Sequence, residues 1–341
     1  MTTTKALLVR RFQFYVAIYP IFIRCIYAIL NGLPVRPPST YQWIVRIEID
    51  ARVPLPRTSN ESGDYNHFIP KTFLCAGSRI EERTILTASH CFFRNVERGG
   101  IRRIIPLNTD RVRLYPTTYE ELGKRHLVVR RDQIYFFNHL YWPGFDEAAV
   151  ILLHENDLHL FDLIQYGNNF TGGGPESQKI VPLFPTNLKT HSSDCKIIGW
   201  GATDIDGTQF PNTLFGSSVE IWDFCELDRR EIICAGGKPN NSINTENETY
   251  ADTCVGDSGG PLLCNYENVT FLVGVTIAGL EPYKCGGGGA YFDVTRFART
   301  GMAHLPLKSY RSFTHGRGGI GLIEKTIRIR YFSFVTLSDL Q

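Results

Sequence analysis

The 341 residues carry 36 Lys and Arg against 34 Asp and Glu, with 43% hydrophobic and 21% charged residues. These are the proportions of a folded globular chain, and they exclude collagen-like, low-complexity and disordered readings. The net charge of +2 is uneven: residues 1–28 and 301–341 are basic, whereas residues 29–300 hold 26 bases against 32 acids, which disfavours a nucleic-acid binder because phosphate neutralisation needs a basic folded face.

In chain order, Lys5, Arg10 and Arg11 precede an apolar stretch from Phe12 to Ile23, followed by Arg24 and a short run to Ala28. This is the polarity of a signal peptide. Arg24 stops the run short of the roughly 20 apolar residues that span a bilayer, so residues 1–28 are expected to be a removed leader, leaving no stable membrane span. From Tyr41 to Ala298 the chain reads as short β segments between turns, an all-β pattern. The strand windows are Trp43–Ile49, Thr84–Ala88, Arg111–Tyr115, Gln133–Phe137, Ala148–Leu153, Lys196–Trp200, Pro261–Cys264 and Phe271–Ile277. Asp157–Leu163 and Asp223–Arg230 are candidate helical turns, and the polar run Lys238–Thr249 reads as an exposed, mobile loop. Residues 94–131, with ten Lys and Arg against four acids, read as scattered solvated loops rather than an anion-binding exosite. Beyond Thr300 the pattern breaks off; Ile327–Phe334 alternates in a way that suits one more strand or an unstructured basic end.

Eight of the nine cysteines (Cys75, Cys91, Cys195, Cys225, Cys234, Cys254, Cys264 and Cys285) fall within residues 75–285, and Cys25 stands alone. An even set inside the folded region points to four disulfides and a secreted, extracellular protein, although sequence alone leaves about 105 pairings. Asn-x-Ser/Thr acceptors at Asn60, Asn169, Asn240, Asn247 and Asn268 agree with a secretory glycoprotein. No HExxH or CxxC spacing is present, so no metal site or cofactor is expected.

The chemistry concentrates in Asp252-Thr-Cys-Val-Gly-Asp-Ser-Gly-Gly-Pro261, which sets Ser258 in a glycine-rich bend. Glycines let the backbone aim two amides at one point, where a developing oxyanion is stabilised. A serine needs a base, and Leu86-Thr-Ala-Ser-His90-Cys91 offers a histidine straight after an apolar strand. The base needs an orienting carboxylate, and Asp146 precedes the apolar run Ala148–Leu153.

With His90, Asp146 and Ser258 in that order, the chain resembles the chymotrypsin and trypsin family of serine proteases over roughly residues 29–298. The most specific pieces are Thr87-Ala-Ser-His-Cys91, Gly199-Trp-Gly201 and Gly256-Asp-Ser-Gly-Gly-Pro261. The resemblance implies two six-stranded antiparallel Greek-key β-barrels with the active site between them, in a protease domain over residues 29–300, followed by a basic extension over 301–341. It implies that Ser258 attacks the scissile carbonyl, His90 moves the proton, Asp146 orients the imidazole, and the Gly256 and Ser258 amides form an oxyanion hole. It also implies disulfides Cys75–Cys91, Cys195–Cys264, Cys225–Cys234 and Cys254–Cys285. Asp252, six positions before Ser258, would favour Arg or Lys at the base of a pocket kept open by Gly279 and Gly289.

The function so implied is a secreted endopeptidase acting on proteins or peptides, with proteinaceous inhibitors as further partners; the alternative is a non-catalytic homologue that binds a protein. Ile277-Ala278-Gly279 departs from the family's Ser-Trp-Gly, removing a hydrogen bond to the triad carboxylate and one subsite wall. Glu147 places a second acid near the triad, and the family's C-terminal helix is not recognisable after Phe297. For activation, the resemblance matches Ile29-Leu-Asn-Gly32 to the segment whose freed amine pairs with the acid before the nucleophile, here Asp257. Either a signal peptidase cuts after Ala28 and frees Ile29 directly, or residues 1–28 are an unrelated leader.

Overall fold

The computed structural model describes residues 29–36, 38–54, 68–98, 101–116, 125–139, 147–166, 179–184, 194–223, 225, 232–237, 251–280, 285–295 and 332–336. Residues 1–28 with Cys25, Asp146, four of the five Asn-x-Ser/Thr acceptors, the run 238–249 and most of the segment 223–230 lie outside them. So does all of the basic extension except 332–336.

A two-residue strand, β1 (Leu33–Pro34), opens the described chain. The first sheet then uses β2 (Ile44–Pro54), β3 (Phe68–Glu81) and β4 (Thr84–Ala88). A separate hairpin follows, β5 (Phe93–Arg98) with β6 (Ile101–Pro106), before the sheet resumes with β7 (Asn108–Pro116), β8 (Leu127–Val129), β9 (Ile134–His139) and β10 (Ala148–Leu152). In β2 the side chains of Val45, Ile47, Ile49 and Ala51 are buried while Arg46, Glu48 and Asp50 lie between them, half-buried. That is the period of two of a sheet with one face on the core. Each of the Val and Ile side chains contributes about 2 kcal/mol by leaving water, Ala51 less.

One helix, α1 (Glu155–Tyr166), follows β10. It grows well beyond the expected turn because Phe161 and Ile164 share one apolar face, both buried in the first core, and Glu155 and Asp157 sit in its positively polarised first turn. Arg79 of β3, only 1% exposed, ties the helix down. Its guanidinium donates to Asp162 at 2.8 Å and to the Glu82 carbonyl at 2.9 and 2.7 Å.

The second sheet holds β11 (Cys195–Gly199), β12 (Phe215–Ile221), β13 (Ile232–Gly236), β14 (Pro261–Tyr266), β15 (Val269–Gly279) and β16 (Gly289–Asp293). Its ladder runs β12-β11-β14-β15-β16-β13, and β13 returns to β12, which closes a six-stranded barrel. Ile197, Leu262, Val273 and Tyr291 fill it. The first sheet is curled but follows the order β17-β9-β10-β4-β3-β2-β7-β8, where β17 is Phe332–Thr336 from the C-terminal extension. The sequence left this piece open between strand and unstructured end. Because β17 occupies the outer edge of β9, the ladder has eight strands among the described residues and does not close into the expected six-stranded ring. The fold is all-β and two-barrelled, one closed and one curled sheet packed together.

The structure joins Cys75 to Cys91, Cys195 to Cys264, Cys225 to Cys234 and Cys254 to Cys285. Asn268 stands exposed in the β14–β15 turn, where its φ of 64° and that of Glu267 at 49° make the tight reversal. Among the described residues no helix is long and apolar enough to cross a membrane, and no group of three or more His, Cys, Asp or Glu is placed to hold a metal ion.

Candidate active site

Ser258 belongs to the barrel but is fastened to the first sheet. Its carbonyl accepts the Ala76 N–H of β3 at 2.8 Å, while the next residue, Gly259, donates to Thr276 of β15 at 2.8 Å. The loop passes so near β3 and β4 that a Cβ on Gly259 would collide with the Ala76 carbonyl and the Thr87 hydroxyl, and it would lie 2.9 Å from the Ala88 nitrogen. Gly259 also has φ +82°. Only glycine satisfies both demands at once.

β4 ends at that same place, and the chain turns through a single 3-10 turn, Ser89–Phe92, that carries His90. The Cys75–Cys91 disulfide and the bond from the Thr87 hydroxyl to the Ala76 carbonyl, 2.7 Å, hold this turn against β3. Ser258 and His90 are thereby brought to one seam between the two halves. Asp146 lies outside the described residues, but its neighbour does not. The Glu147 carbonyl accepts the Ser89 N–H at 2.9 Å, and its carboxylate Oε2 stands 3.7 Å from His90 Nδ1.

The bend before Ser258 is shaped around Asp257, which is fully buried. Its carboxylate accepts the Gly201 N–H at 2.7 Å and the Cys254 N–H at 2.9 Å. A Cβ on Gly199 or Gly201 would run into that carboxylate, so Gly199-Trp-Gly201 is a cradle for Asp257. Burial pushes the Asp257 carboxyl up to about 7, with the nearby charge of Asp252 adding to it and the two amides opposing. Gly256, at φ +98°, turns the chain just before it. The Gly260 amide takes the Asp257 carbonyl at 2.8 Å, whereas among the described residues no acceptor takes the Gly256 or Ser258 amide. Ile29 is fully buried, its Cδ1 3.5 Å from where a Gly199 Cβ would sit, and so it borders the same cradle; Leu30 exchanges backbone bonds with Asp252.

Asp252 is buried as well, in a second cradle. Its Oδ2 accepts from the Gly286 N–H at 2.7 Å and the Gly288 N–H at 3.2 Å. Desolvation pushes its carboxyl up to about 6 against those amides, so at neutral pH it is largely ionised. Gly279 faces Gly289 across the β15–β16 ladder. A Cβ on Gly289 would come within 2.7 Å of the Tyr291 hydroxyl and 2.9 Å of the Thr253 hydroxyl. Sequence reading missed Gly286, Gly288, Thr253 and Tyr291 as neighbours of Asp252 and Gly289; the run of four glycines at 286–289 was the available signal. Ile277 is half-buried and Ala278 exposed at the end of β15.

The family model described as Trypsin matches residues 55–300. The chain belongs to the trypsin family. It is 30% identical over 205 residues to the snake venom serine protease salmonase of Gloydius brevicauda, a match covering 57% of this chain and 64% of that protein. It is 25% identical over 207 residues to the snake venom serine proteinase 12 of Crotalus adamanteus, covering 58% and 65%. This trypsin-family chain thus matches less than two thirds of the length of either relative. Among solved structures it is similar to neuropsin, a serine protease expressed in the limbic system of mouse brain, at 21% identity and a TM-score of 0.46, covering 80% of this chain and 97% of that one.

Proposed function

We propose that this trypsin-family chain is a secreted serine endopeptidase that cleaves after Arg or Lys through an acyl-enzyme. The observation that carries the reading is the seam at which the Ser258 loop is hydrogen-bonded to Ala76 and packed on the β4 end that presents His90. In this reading Ser258 Oγ attacks the scissile carbonyl carbon while His90 takes its proton, and the carbonyl oxygen becomes an oxyanion held by the Gly256 and Ser258 amides. The C–N bond then breaks as His90 returns the proton to the leaving amine. Water deacylates the ester by the same exchange in reverse. Asp146 is assigned the orienting role by its place before β10. An ionised, amide-held Asp252 between small pocket walls suits a long cationic side chain. The buried Ile29 beside the Asp257 cradle supports an activating role for its amine, set against Asp257. The disulfides and the exposed Asn268 support passage through an oxidising, glycosylating route.

The test is turnover of Arg, Lys and Phe peptide esters by secreted protein beside its Ser258→Ala variant. Cleavage after Arg and Lys that disappears in the variant is expected. A folded, disulfide-bonded protein that turns over none of them, even with Ile29 at its N-terminus, refutes the enzyme and leaves the protein-binding homologue.

A further inference from the structure

Two consecutive acids, Asp146 and Glu147, lead into β10, and the structure describes the second. Its backbone is fixed by the bond from the Ser89 N–H to its carbonyl, and the following residue, Ala148, stands opposite Ala88 in the β4–β10 ladder. Successive side chains on a strand point to opposite faces. Every residue of β10 is buried, on both faces, whereas Glu147 sits in the bend just before the strand, half-buried, beside the His90 turn. Exposed glutamates are ordinarily solvated. This one approaches the imidazole, with Oε2 3.7 Å from Nδ1, the two side chains 38% and 37% exposed.

A histidine that takes a proton at Nε2 must carry one at Nδ1 beforehand, and it bears a full positive charge once the transfer is made. An anion facing Nδ1 favours both conditions. We propose that Glu147 is a positioning residue for the reaction, a second carboxylate beside the one expected of Asp146, that holds His90 in the Nδ1–H tautomer and faces its charge as the proton moves. The inference rests on the reading of His90 as the general base. Because both groups are about one-third exposed, solvent and salt weaken the pair, and its effect is that of an exposed ion pair, a rate factor of about two to five.

The test uses full-length secreted protein and Glu147→Gln, which keeps the side-chain shape and the backbone bond to Ser89. The expected result is a two- to five-fold lower kcat on an Arg ester with unchanged KM, narrowing in 1 M sodium chloride as salt screens the parent pair. A purely structural residue would not give that salt response. In parallel, ¹⁵N spectra of His90 in Ser258→Ala, with and without Glu147→Gln, report the tautomer without any need for turnover. A smaller Nδ1–H population in the Gln variant is expected. Matching kcat and matching tautomer in parent and variant overturn the proposal. Absence of turnover in the parent refutes the protease reading instead, and the ¹⁵N comparison alone then supports or overturns the Glu147–His90 pair.

Discussion

Ionising Asp257 inside its cradle should make the protein less stable as pH rises from acid to neutral, the opposite of the usual behaviour of native carboxylates. The carboxyl titrates at about 7 in the fold against 3.8 when free. Between those values the folded state holds a proton that the unfolded chain has released, so stability falls with pH. The contribution is complete below about pH 3.8 and is lost as pH passes through about 7. A displacement of roughly 3 pH units corresponds to about 4 kcal/mol. Asp252, displaced to about 6, adds a decline of the same sign that ends sooner. The Asp257 share is isolated with Asp257→Asn, which cannot ionise. At pH 4.5 the variant should be less stable by about 1–3 kcal/mol, since the Asn amide group meets one of the N–H donors of Gly201 and Cys254 head on. By pH 8 the deficit should vanish or reverse. Urea unfolding midpoints of the disulfide-intact proteins, taken every half pH unit, give the difference directly. A parent-to-variant gap that stays constant from pH 4.5 to 8 would refute the reasoning. Under the proposed activation, in which a freed Ile29 amine pairs with Asp257, the decline should be lost, because a cation beside the carboxylate favours its ionised form.

Further predictions follow from single contacts. Asp252→Ser should lower kcat/KM for Arg and Lys esters by about a hundred-fold or more while sparing Phe esters, since a buried charge partner is removed; steady-state kinetics on the three esters decide it. In the parent, Arg-ester kcat/KM should decline as pH drops below about 6, where Asp252 becomes protonated. Gly259→Ala forces a Cβ into the Ala76 carbonyl and Thr87 hydroxyl at φ +82°, and it should cost about 3 kcal/mol or more in guanidinium unfolding. Arg79→Met leaves Asp162 and the Glu82 carbonyl without their donor and should cost about 2–3 kcal/mol, read by the same method.

The strands that were legible are those whose side chains obey one local rule. Val45, Ile47 and Ile49 alternate with polar residues on a half-buried strand, and Ala148–Leu152 is an unbroken apolar run buried on both faces. β12 was not legible, because Ser217, Ser218 and Glu220 dilute its pattern, and it is held by pairing with β11 and β13 rather than by its own residues. The helix was under-read because Phe161 and Ile164 need the Arg79 anchor from a strand about eighty residues earlier to fix its extent. At the site, the Ser258 loop could be read from its glycines alone. The seating of Asp252 on the Gly286 and Gly288 amides, and of Glu147 beside His90, joins residues with no fixed sequence spacing. Such pairs become visible only once the sheets are folded.

The pairing of β17 with β9 carries a consequence for self-association. From Phe332 opposite His139 to Thr336 opposite Tyr135, the backbone groups on the outer side of β9 are met by the chain's own Phe-Ser-Phe-Val-Thr. An uncovered edge of this kind is a template onto which any extended segment of another molecule can add. Proteolytic trimming of that stretch would free the β9 side, and the released segment is itself rich in β-forming aromatic and branched residues. Shortened molecules should therefore be prone to strand-by-strand linkage with their neighbours, visible as concentration-dependent growth in light scattering, while intact ones keep that hydrogen-bonding row occupied from within.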